Sequence, residues 1–116
     1  MNPLEKYAEN INTKNVKGIL DLFADEFIFD DRGGQDFGAK PLICTSKSEL
    51  EPLWEGFFEN IPDLHCKLIG TAYENVMYYD VYNSGRCLPC VGVCRTNYDG
   101  LITEYHVFVR EDETNN

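Results

Sequence analysis

The sequence has no long apolar run, and none of its hydrophobic stretches approaches the roughly 18 residues that a membrane-spanning helix requires. Residues 1–6 contain no basic segment followed by an apolar stretch, so we expect no secretory signal peptide. Basic residues are also few, with 10 Lys and Arg against 20 Asp and Glu and a formal net charge of −10. Because so acidic a chain repels phosphate groups, we expect neither nucleic acid nor a membrane surface as a partner.

Patterns typical of disulfides and metal sites are weak as well. The five cysteines are an odd number, and without an export signal we expect reduced thiols in a cytoplasmic protein. Cys87, Cys90 and Cys94 lie close together, but a structural zinc site usually needs four ligands, and His65 and His106 lack the customary spacing. We therefore interpret the three cysteines as small buried thiols and expect no metal and no cofactor.

What the sequence does contain is enough apolar material for a folded core. The chain has 116 residues, of which 43% are hydrophobic and 13% aromatic. This length and composition suit one domain. We assign residues 2–112 to that domain and residues 113–116 to an acidic and polar tail.

The first half of the chain predicts three helices. Asn2 followed by Pro3 predicts the start of the first helix. An apolar stripe that ends at Phe23 predicts a second helix beginning at residue 12 or 13. Ser46, followed by a strongly amphipathic segment, predicts a third helix that ends near residue 60.

Strands are expected between these helices and in the second half. Alternating apolar and polar residues predict one strand over residues 27–32, followed by an irregular loop over residues 33–45. Turn signals then separate four further strands, which begin near residues 64, 76, 87 and 101. This order predicts an α+β fold in which helices pack on one face of a curled, mostly antiparallel sheet, forming a cone with an internal pocket.

Two segments carry a family resemblance. Residues 6–8 and 18–31 include Lys-Tyr-Ala and Gly-Ile-Leu-Asp-Leu-Phe-Ala-Asp-Glu, and they resemble the first two helices and the first strand of ketosteroid-isomerase-like proteins. Residues 99–104, Asp-Gly-Leu-Ile-Thr-Glu, resemble the last hairpin of that group. The group lies with SnoaL-like proteins, cyclases and dehydratases in the nuclear-transport-factor-2-like (NTF2-like) superfamily. The resemblance runs nearly end to end, and it implies this fold and a homodimer.

The resemblance implies two catalytic residues, Tyr7 as an oxyanion donor and Asp31 as the general base. The strand pattern itself places Asp31 on one face with Phe27 and Phe29, so its carboxylate would point into the apolar cavity with a raised pKa. The alternative is that the strand has ended and Asp31 only caps the turn at Gly33 and Gly34 or forms a salt bridge there with Arg32. For Tyr7 the alternative is an ordinary core tyrosine bonded to a backbone carbonyl or to Asp31.

The resemblance also has departures. The second oxyanion donor of the isomerases, a protonated aspartic acid, aligns with Cys94, and a thiol donates hydrogen bonds weakly. The tyrosine that supports the first donor aligns near Trp54. Efficient steroid isomerisation is therefore not expected. We expect the following residues to line the pocket: Phe27, Phe29, Trp54, Phe57, Phe58, Cys94, Tyr105 and Val107.

Two functions follow as hypotheses. The first is a cofactor-independent isomerase, cyclase or dehydratase that acts on a small hydrophobic or carbonyl-containing ligand. The second is a non-catalytic dimeric module that binds a small ligand or another protein. In that case the exposed sheet face, with Tyr78, Asp80 and Tyr82, is the expected working surface.

Overall fold

The computed structural model describes residues 2–35 and 38–110. The predicted tail and the predicted domain boundary at residue 112 lie outside these residues. The elements are α1 (Pro3–Asn12), α2 (Val16–Leu20), β1 (Phe23–Asp31), β2 (Leu42–Cys44), α3 (Lys47–Asn60), β3 (His65–Ala72), β4 (Val76–Asn83), β5 (Arg86–Thr96) and β6 (Ile102–Val109). No helix in the described part of the chain is long and apolar enough to span a membrane.

The strands form one six-stranded sheet in the order β2-β1-β6-β5-β4-β3. Strands β3 to β6 form an antiparallel meander, whereas β1 pairs in parallel with β6 and antiparallel with β2. The predicted α+β fold with a curled, mostly antiparallel sheet and three helices is confirmed. The parallel pair is important because it brings the end of β1 beside the end of β6.

Helix α1 forms for the local reasons that the sequence indicated. The Asn2 side chain accepts a hydrogen bond from the backbone N–H of Glu5, and the Glu5 carboxylate accepts one from the backbone N–H of Asn2. This capping box satisfies two N–H groups that have no partner inside the helix. The buried face of α1, which includes Tyr7 and Ile11, packs against the sheet.

Helix α2 is shorter than predicted. Its cap is Asn15, whose side chain accepts from the N–H of Gly18, and the helix begins at Val16. Lys14 has a φ of 55°, a left-handed conformation that interrupts a helix, so residues 12–14 cannot continue one into the next. Phe23 was predicted on the stripe of this helix but is the first residue of β1.

The segment predicted as an irregular loop contains β2. Leu42–Cys44 pairs with the end of β1, where Ile43 lies opposite Asp30 and Leu42 opposite Asp31. Three residues are too few for a periodic signal, and the pairing partner is a distant strand. The strand pair supports β1 on the side away from β6.

Aromatic rings fill one end of the space between the sheet and the helices, and we call this end, which contains Phe23, Phe27, Phe29 and Tyr105, the closed end. Phe23 contacts Phe27 and Phe29 with ring centroids 4.8 and 6.3 Å apart, and Phe29 contacts Tyr105 at 5.8 Å. All four side chains are at most 5% exposed. Tyr7 of α1 joins this cluster through an edge contact with Tyr105 at 4.7 Å.

Asn12 fixes the end of α1 to β3. Its Nδ2 donates to the carbonyl oxygen of Cys66 at 2.9 Å, and its Oδ1 accepts from the N–H of Cys66 at 2.7 Å. This pair of bonds positions α1, and with it Tyr7, against the sheet.

Asn12→Ala should lower the free energy of unfolding by about 1–2 kcal/mol, because it removes two hydrogen bonds and leaves both backbone groups of Cys66 without their partner. The measurement is urea denaturation. Asn10→Ala is the matched control, since the described residues give the Asn10 side chain no hydrogen bond, and it should change stability far less. Equal losses in the two variants would show that the Asn12 bonds contribute nothing specific.

Candidate functional site

A cavity of about 310 Å³ lies between the helices and the inward face of the sheet. This is at the lower end of the size range of ligand pockets. The helical wall consists of Tyr7, Ile11, Trp54, Phe57 and Ile61. The sheet contributes Asp31, Cys66, Tyr79, Val81, Cys90 and Val107, and the rim is formed by Gly33, Gly34, Ala39, Lys40, Leu42, Leu64, Asn83 and Leu88.

Asp31 is the acidic residue among the described residues that line this cavity. It is the last residue of β1 and pairs with Val107 of β6, so the parallel strand pair fixes its position. Its Oδ1 accepts a hydrogen bond from the backbone N–H of Gly33 at 2.8 Å. Burial raises the pKa of Asp31, the Gly33 hydrogen bond opposes that rise, and the charge of Asp30 adds to it.

The phenol of Tyr7 lies in the helical wall of the cavity, opposite the sheet wall that contains Asp31. No residue in the ranges 2–35 and 38–110 shares a hydrogen bond with its hydroxyl, so neither a backbone carbonyl nor Asp31 is bonded to it. Burial raises the pKa of Tyr7 well above its usual value, and Tyr105 and Asp31 add to the rise. The hydroxyl therefore stays protonated and can donate a hydrogen bond at any physiological pH.

The remaining polar groups of the sheet wall are neutral. The hydroxyls of Tyr79 and Tyr105 are hydrogen-bonded at 3.2 Å, and burial raises the pKa of both phenols well above the usual value. Burial also raises the pKa of the Cys66 and Cys90 thiols to about 12 in each case. Asp31 therefore faces neutral phenols and thiols, and it is the group that can accept a proton at neutral pH.

Not all the residues expected at the pocket wall lie there. Trp54, Phe57 and Val107 line the cavity together with Tyr7 and Asp31. The other five belong to the packed core: Phe27, Phe29, Cys94 and Tyr105 lie in the closed end, and Phe58 packs against Trp54 at 5.4 Å. The reason is depth along the sheet, because the aromatic cluster fills the closed end and confines the cavity to the end that carries Asp31.

Sequence reasoning missed Tyr79, Cys66 and Cys90 as wall residues. A usable signal existed in β4, where Tyr78, exposed on the outer face, alternates with buried Met77 and Tyr79. If Tyr78 faces outward, Tyr79 must face the cavity. The two thiols carry no such signal, because their contribution depends on which strands become neighbours.

The cysteines do not assemble into a metal site. Cys90 and Cys94 are buried as expected, but the expectation of a buried thiol is wrong for Cys87, which is exposed. The reason is that Cys87 lies on the opposite face of β5 from Cys90. Within the described ranges no group of three His, Cys, Asp or Glu side chains could hold a metal ion. His106 lies on the outer face, 3.8 Å from Asp30 and 3.6 Å from Glu104.

Comparison with known families identifies the domain to which this fold belongs. The model of the SnoaL-like domain family matches residues 4–105. The chain therefore belongs to the SnoaL-like domain family of the NTF2-like superfamily, and the resemblance noted in the sequence is confirmed. No curated protein matches the chain.

Solved structures are similar in fold over most of the chain. A SnoaL-like protein of unknown function from Burkholderia thailandensis has a TM-score of 0.70 at 19% identity, covering 92% of this chain and 90% of that one. A cystatin-like protein of unknown function from Methylobium petroleophilum has a TM-score of 0.73 at 12% identity, covering 96% and 75%. A protein from Catenulispora acidiphila with a ketosteroid-isomerase-like fold, in complex with trimethylamine, has a TM-score of 0.71 at 15% identity, covering 91% and 83%.

The raised pKa of Asp31 predicts a pH-dependent loss of stability. The folded protein holds this proton to a higher pH than the unfolded chain, so the free energy of unfolding should fall as pH rises from the ordinary value of 3.8 through the raised pKa. Asp31→Asn still accepts from Gly33 but carries no charge. Its stability relative to wild type should therefore increase over that pH window, as measured by urea denaturation.

Asp63→Asn is a control variant for which we expect the opposite pH dependence of stability relative to wild type. Hydrogen bonds from the N–H groups of Ser84 and Gly85 lower the pKa of Asp63. Wild type should therefore gain stability over Asp63→Asn as pH rises through that lowered pKa towards the ordinary value. If the difference between Asp31→Asn and wild type does not vary with pH, the carboxyl of Asp31 is not dehydrated by the cavity.

Proposed function

We propose that the protein binds a small apolar ligand that contains a carbonyl group, with Asp31 as general base and Tyr7 as a neutral hydrogen-bond donor to the carbonyl oxygen. The observation that carries the proposal is that the lining of one apolar cavity contains a partly buried carboxylate and a phenol whose hydroxyl has no hydrogen-bond partner among the described residues. A base that is desolvated has a pKa nearer to neutrality, which suits proton transfer.

The chemistry needs only these two groups. The Asp31 carboxylate removes a proton from the carbon beside the carbonyl, and the electrons of that C–H bond move to the carbonyl oxygen to give an enolate. Tyr7 donates a hydrogen bond to the oxygen as its charge develops. In a ligand with a β,γ carbon–carbon double bond, the protonated Asp31 then returns the proton at the γ-carbon, which shifts the double bond into conjugation and isomerises the ligand. In a ligand with a leaving group on the β-carbon, the enolate expels that group, which takes the proton from Asp31, and this is a lyase reaction.

The placement of Cys94 bears on which reaction this is. Cys94 is buried in the core and is not part of the cavity lining, so it does not stand in for the second acidic donor of the isomerases. A site that lacks one oxyanion donor is slower by about two to three orders of magnitude. This supports a ligand whose proton beside the carbonyl is more acidic than that of a steroid ketone.

The size of the site agrees with a small ligand. The cavity volume is about 310 Å³, and the similar Catenulispora acidiphila protein is in complex with trimethylamine. That complex supports the use of this fold for ligands of a few atoms. It does not transfer an amine ligand to this chain.

The proposal predicts exchange of the acidic protons beside a ketone. We expect the wild-type protein to accelerate hydrogen–deuterium exchange at the α-carbon of 2-tetralone in D₂O, followed by proton NMR. Asp31→Asn should lower the protein-dependent rate at least about 100-fold, because it removes the base. Tyr7→Phe should lower it about 100-fold, because it removes the oxyanion donor.

Tyr105→Phe is the matched control for Tyr7→Phe. It also removes a buried phenol hydroxyl, but that hydroxyl is bonded to Tyr79 and lies outside the cavity lining. Its exchange rate should stay close to that of wild type. If wild type gives no acceleration, or if Asp31→Asn exchanges as fast, the catalytic proposal is wrong.

A second candidate is a dimeric binding module without catalysis, in which the Gly33 hydrogen bond makes Asp31 a turn cap. The outer sheet face favours dimerisation, which we propose under either function. Tyr78, Val91 and Phe108 lie side by side on three neighbouring strands, and Tyr78 and Phe108 are 37% and 42% exposed. An apolar row on an open sheet face is typical of a protein contact.

The dimer proposal predicts that Phe108→Glu converts the protein to a monomer in sedimentation velocity, because it places a charge in the apolar row that forms the contact. Tyr98→Glu, in an exposed turn away from the row, is the control and should stay dimeric. A monomeric wild type would contradict the proposal. The cytoplasmic location stays a prediction.

A further inference from the structure

Gly33 lies directly beside the carboxylate of Asp31. Its backbone N–H donates a hydrogen bond to Oδ1 of Asp31 at 2.8 Å. A Cβ atom added at Gly33 would lie only 3.0 Å from the same Oδ1 and 3.4 Å from Sγ of Cys90. The first of these contacts is closer than carbon and oxygen atoms normally pack. Position 33 therefore has room for a hydrogen beside the carboxylate but not for a methyl group.

The backbone conformation does not require a glycine at this position. The glycines with a positive φ in the described ranges are Gly38, Gly85 and Gly100, and Gly33 is not among them. Its φ would therefore not strain a residue with a side chain. Because Gly33 and Asp31 line the same cavity, what glycine contributes here is the space that it leaves next to the carboxylate.

The carboxylate of Asp31 points into the cavity and not to the outer face of the sheet. The preceding residue, Asp30, lies beside His106 on the outer face, so strand alternation turns Asp31 inward. The charge of Asp31 also raises the pKa of the Tyr7 phenol and of the Cys90 thiol, and both of these groups line the cavity. The carboxylate therefore lies on the side of the sheet that a ligand would occupy.

The two oxygens of this carboxylate differ in their surroundings. Oδ1 is held by Gly33, whereas Oδ2 shares no hydrogen bond with any residue in the described ranges. In these ranges, the buried side-chain nitrogen or oxygen atom that lacks a partner is Nε1 of Trp54. Oδ2 of Asp31 also lacks a partner but is not buried, so a water molecule can reach it. Because Asp31 lines the cavity, Oδ2 is the oxygen that a ligand in the cavity can contact.

We propose that Gly33 is a positioning residue that holds Oδ1 of Asp31 and leaves Oδ2 free to accept the proton of the ligand. The inference rests on the proposed function and assigns the reacting oxygen of its base. The proton leaves the α-carbon for Oδ2, and the electrons of the C–H bond move to the carbonyl oxygen of the ligand. Oδ1 then becomes the carbonyl oxygen of the acid and still accepts from Gly33, so the carboxyl group need not rotate during the transfer.

Gly33→Ala tests the space beside the base. The added methyl group must displace the carboxylate of Asp31 or the thiol of Cys90, and a base displaced by about 1 Å can lose about 100-fold in rate. We expect the exchange of 2-tetralone protons in D₂O to slow about 10- to 100-fold, mainly through kcat. Gly34→Ala is the matched control, because its Cβ would meet Cβ of Ala39 at 2.9 Å and crowds the rim without touching Asp31. Its rate should stay close to that of wild type.

An ester at position 33 tests the hydrogen bond. Incorporating glycolic acid in place of Gly33 removes the N–H and keeps the shape of the chain. This hydrogen bond lowers the pKa of Asp31, so its loss should move the acid limb of the pH–rate profile to higher pH, which a purely structural role would not do. The same ester at position 34 is the control, since the Gly34 N–H shares no hydrogen bond with the described residues. The ester at position 33 also serves if Gly33→Ala fails to fold.

The outcomes separate this inference from the proposed function. A slower Gly33→Ala variant, together with a pH profile that the ester at position 33 moves upward, supports the inference. If the ester leaves the profile in place, or if Gly33→Ala exchanges as fast as wild type, the inference is wrong while catalysis by Asp31 stands. If wild type itself gives no acceleration, the proposed function is wrong and the inference fails with it.

Discussion

The packing of aromatic rings at the closed end of the sheet is the constraint on which the site depends. Phe23, Phe29 and Tyr105 fill the space beneath the helices, each with no measurable exposure. The inward face of the sheet continues beyond these rings, where its side chains line a cavity of about 310 Å³. The cavity is the part of the cone that the core leaves open, which is why it lies at the end of β1 and has Asp31 in its wall.

The charge distribution follows from this placement. The parallel pairing of β1 with β6 brings Asp31 against Val107 inside an apolar wall, where a carboxylate loses most of its water. The phenols and thiols around it have raised pKa values and stay neutral. Asp31 is the one carboxylate among the described lining residues, with Lys40 at the rim, in a chain with a net charge of −10. A carboxylate in an apolar wall disfavours anionic ligands, which agrees with the neutral ligand that we propose.

Local signals in the sequence predicted much of the fold, and the wrong predictions concern elements whose structure depends on residues distant in the chain. The capping box at Asn2 and the Ser46 cap are local signals, and both helices begin where these signals stand. The end of α2 was misjudged because Phe23 fits a helical stripe and a buried strand position equally well. Strand β2 was missed because three residues gain their structure only from a distant partner.

The candidate site, like the fold, could be predicted from the sequence only in part. Strand alternation correctly indicated which face of β1 is buried, but it contains no information on depth along the sheet. Phe27 and Phe29 therefore share a face with Asp31 yet lie in the core, whereas Asp31 reaches the cavity. The Nε1 atom of Trp54 has no hydrogen-bond partner among the described residues, and the sequence could not predict this, because it depends on which groups the fold brings near the indole.

A crystal structure of the protein with bound 2-naphthol, a planar mimic of an enolate, tests the account most directly. The naphthol rings should lie in the cavity beside Phe57, with the oxygen within hydrogen-bond distance of the Tyr7 hydroxyl, on the side that Asp31 faces. An oxygen directed to the rim near Lys40, or a naphthol bound on the outer sheet face, would contradict the assignment of the cavity as an enolate-binding site.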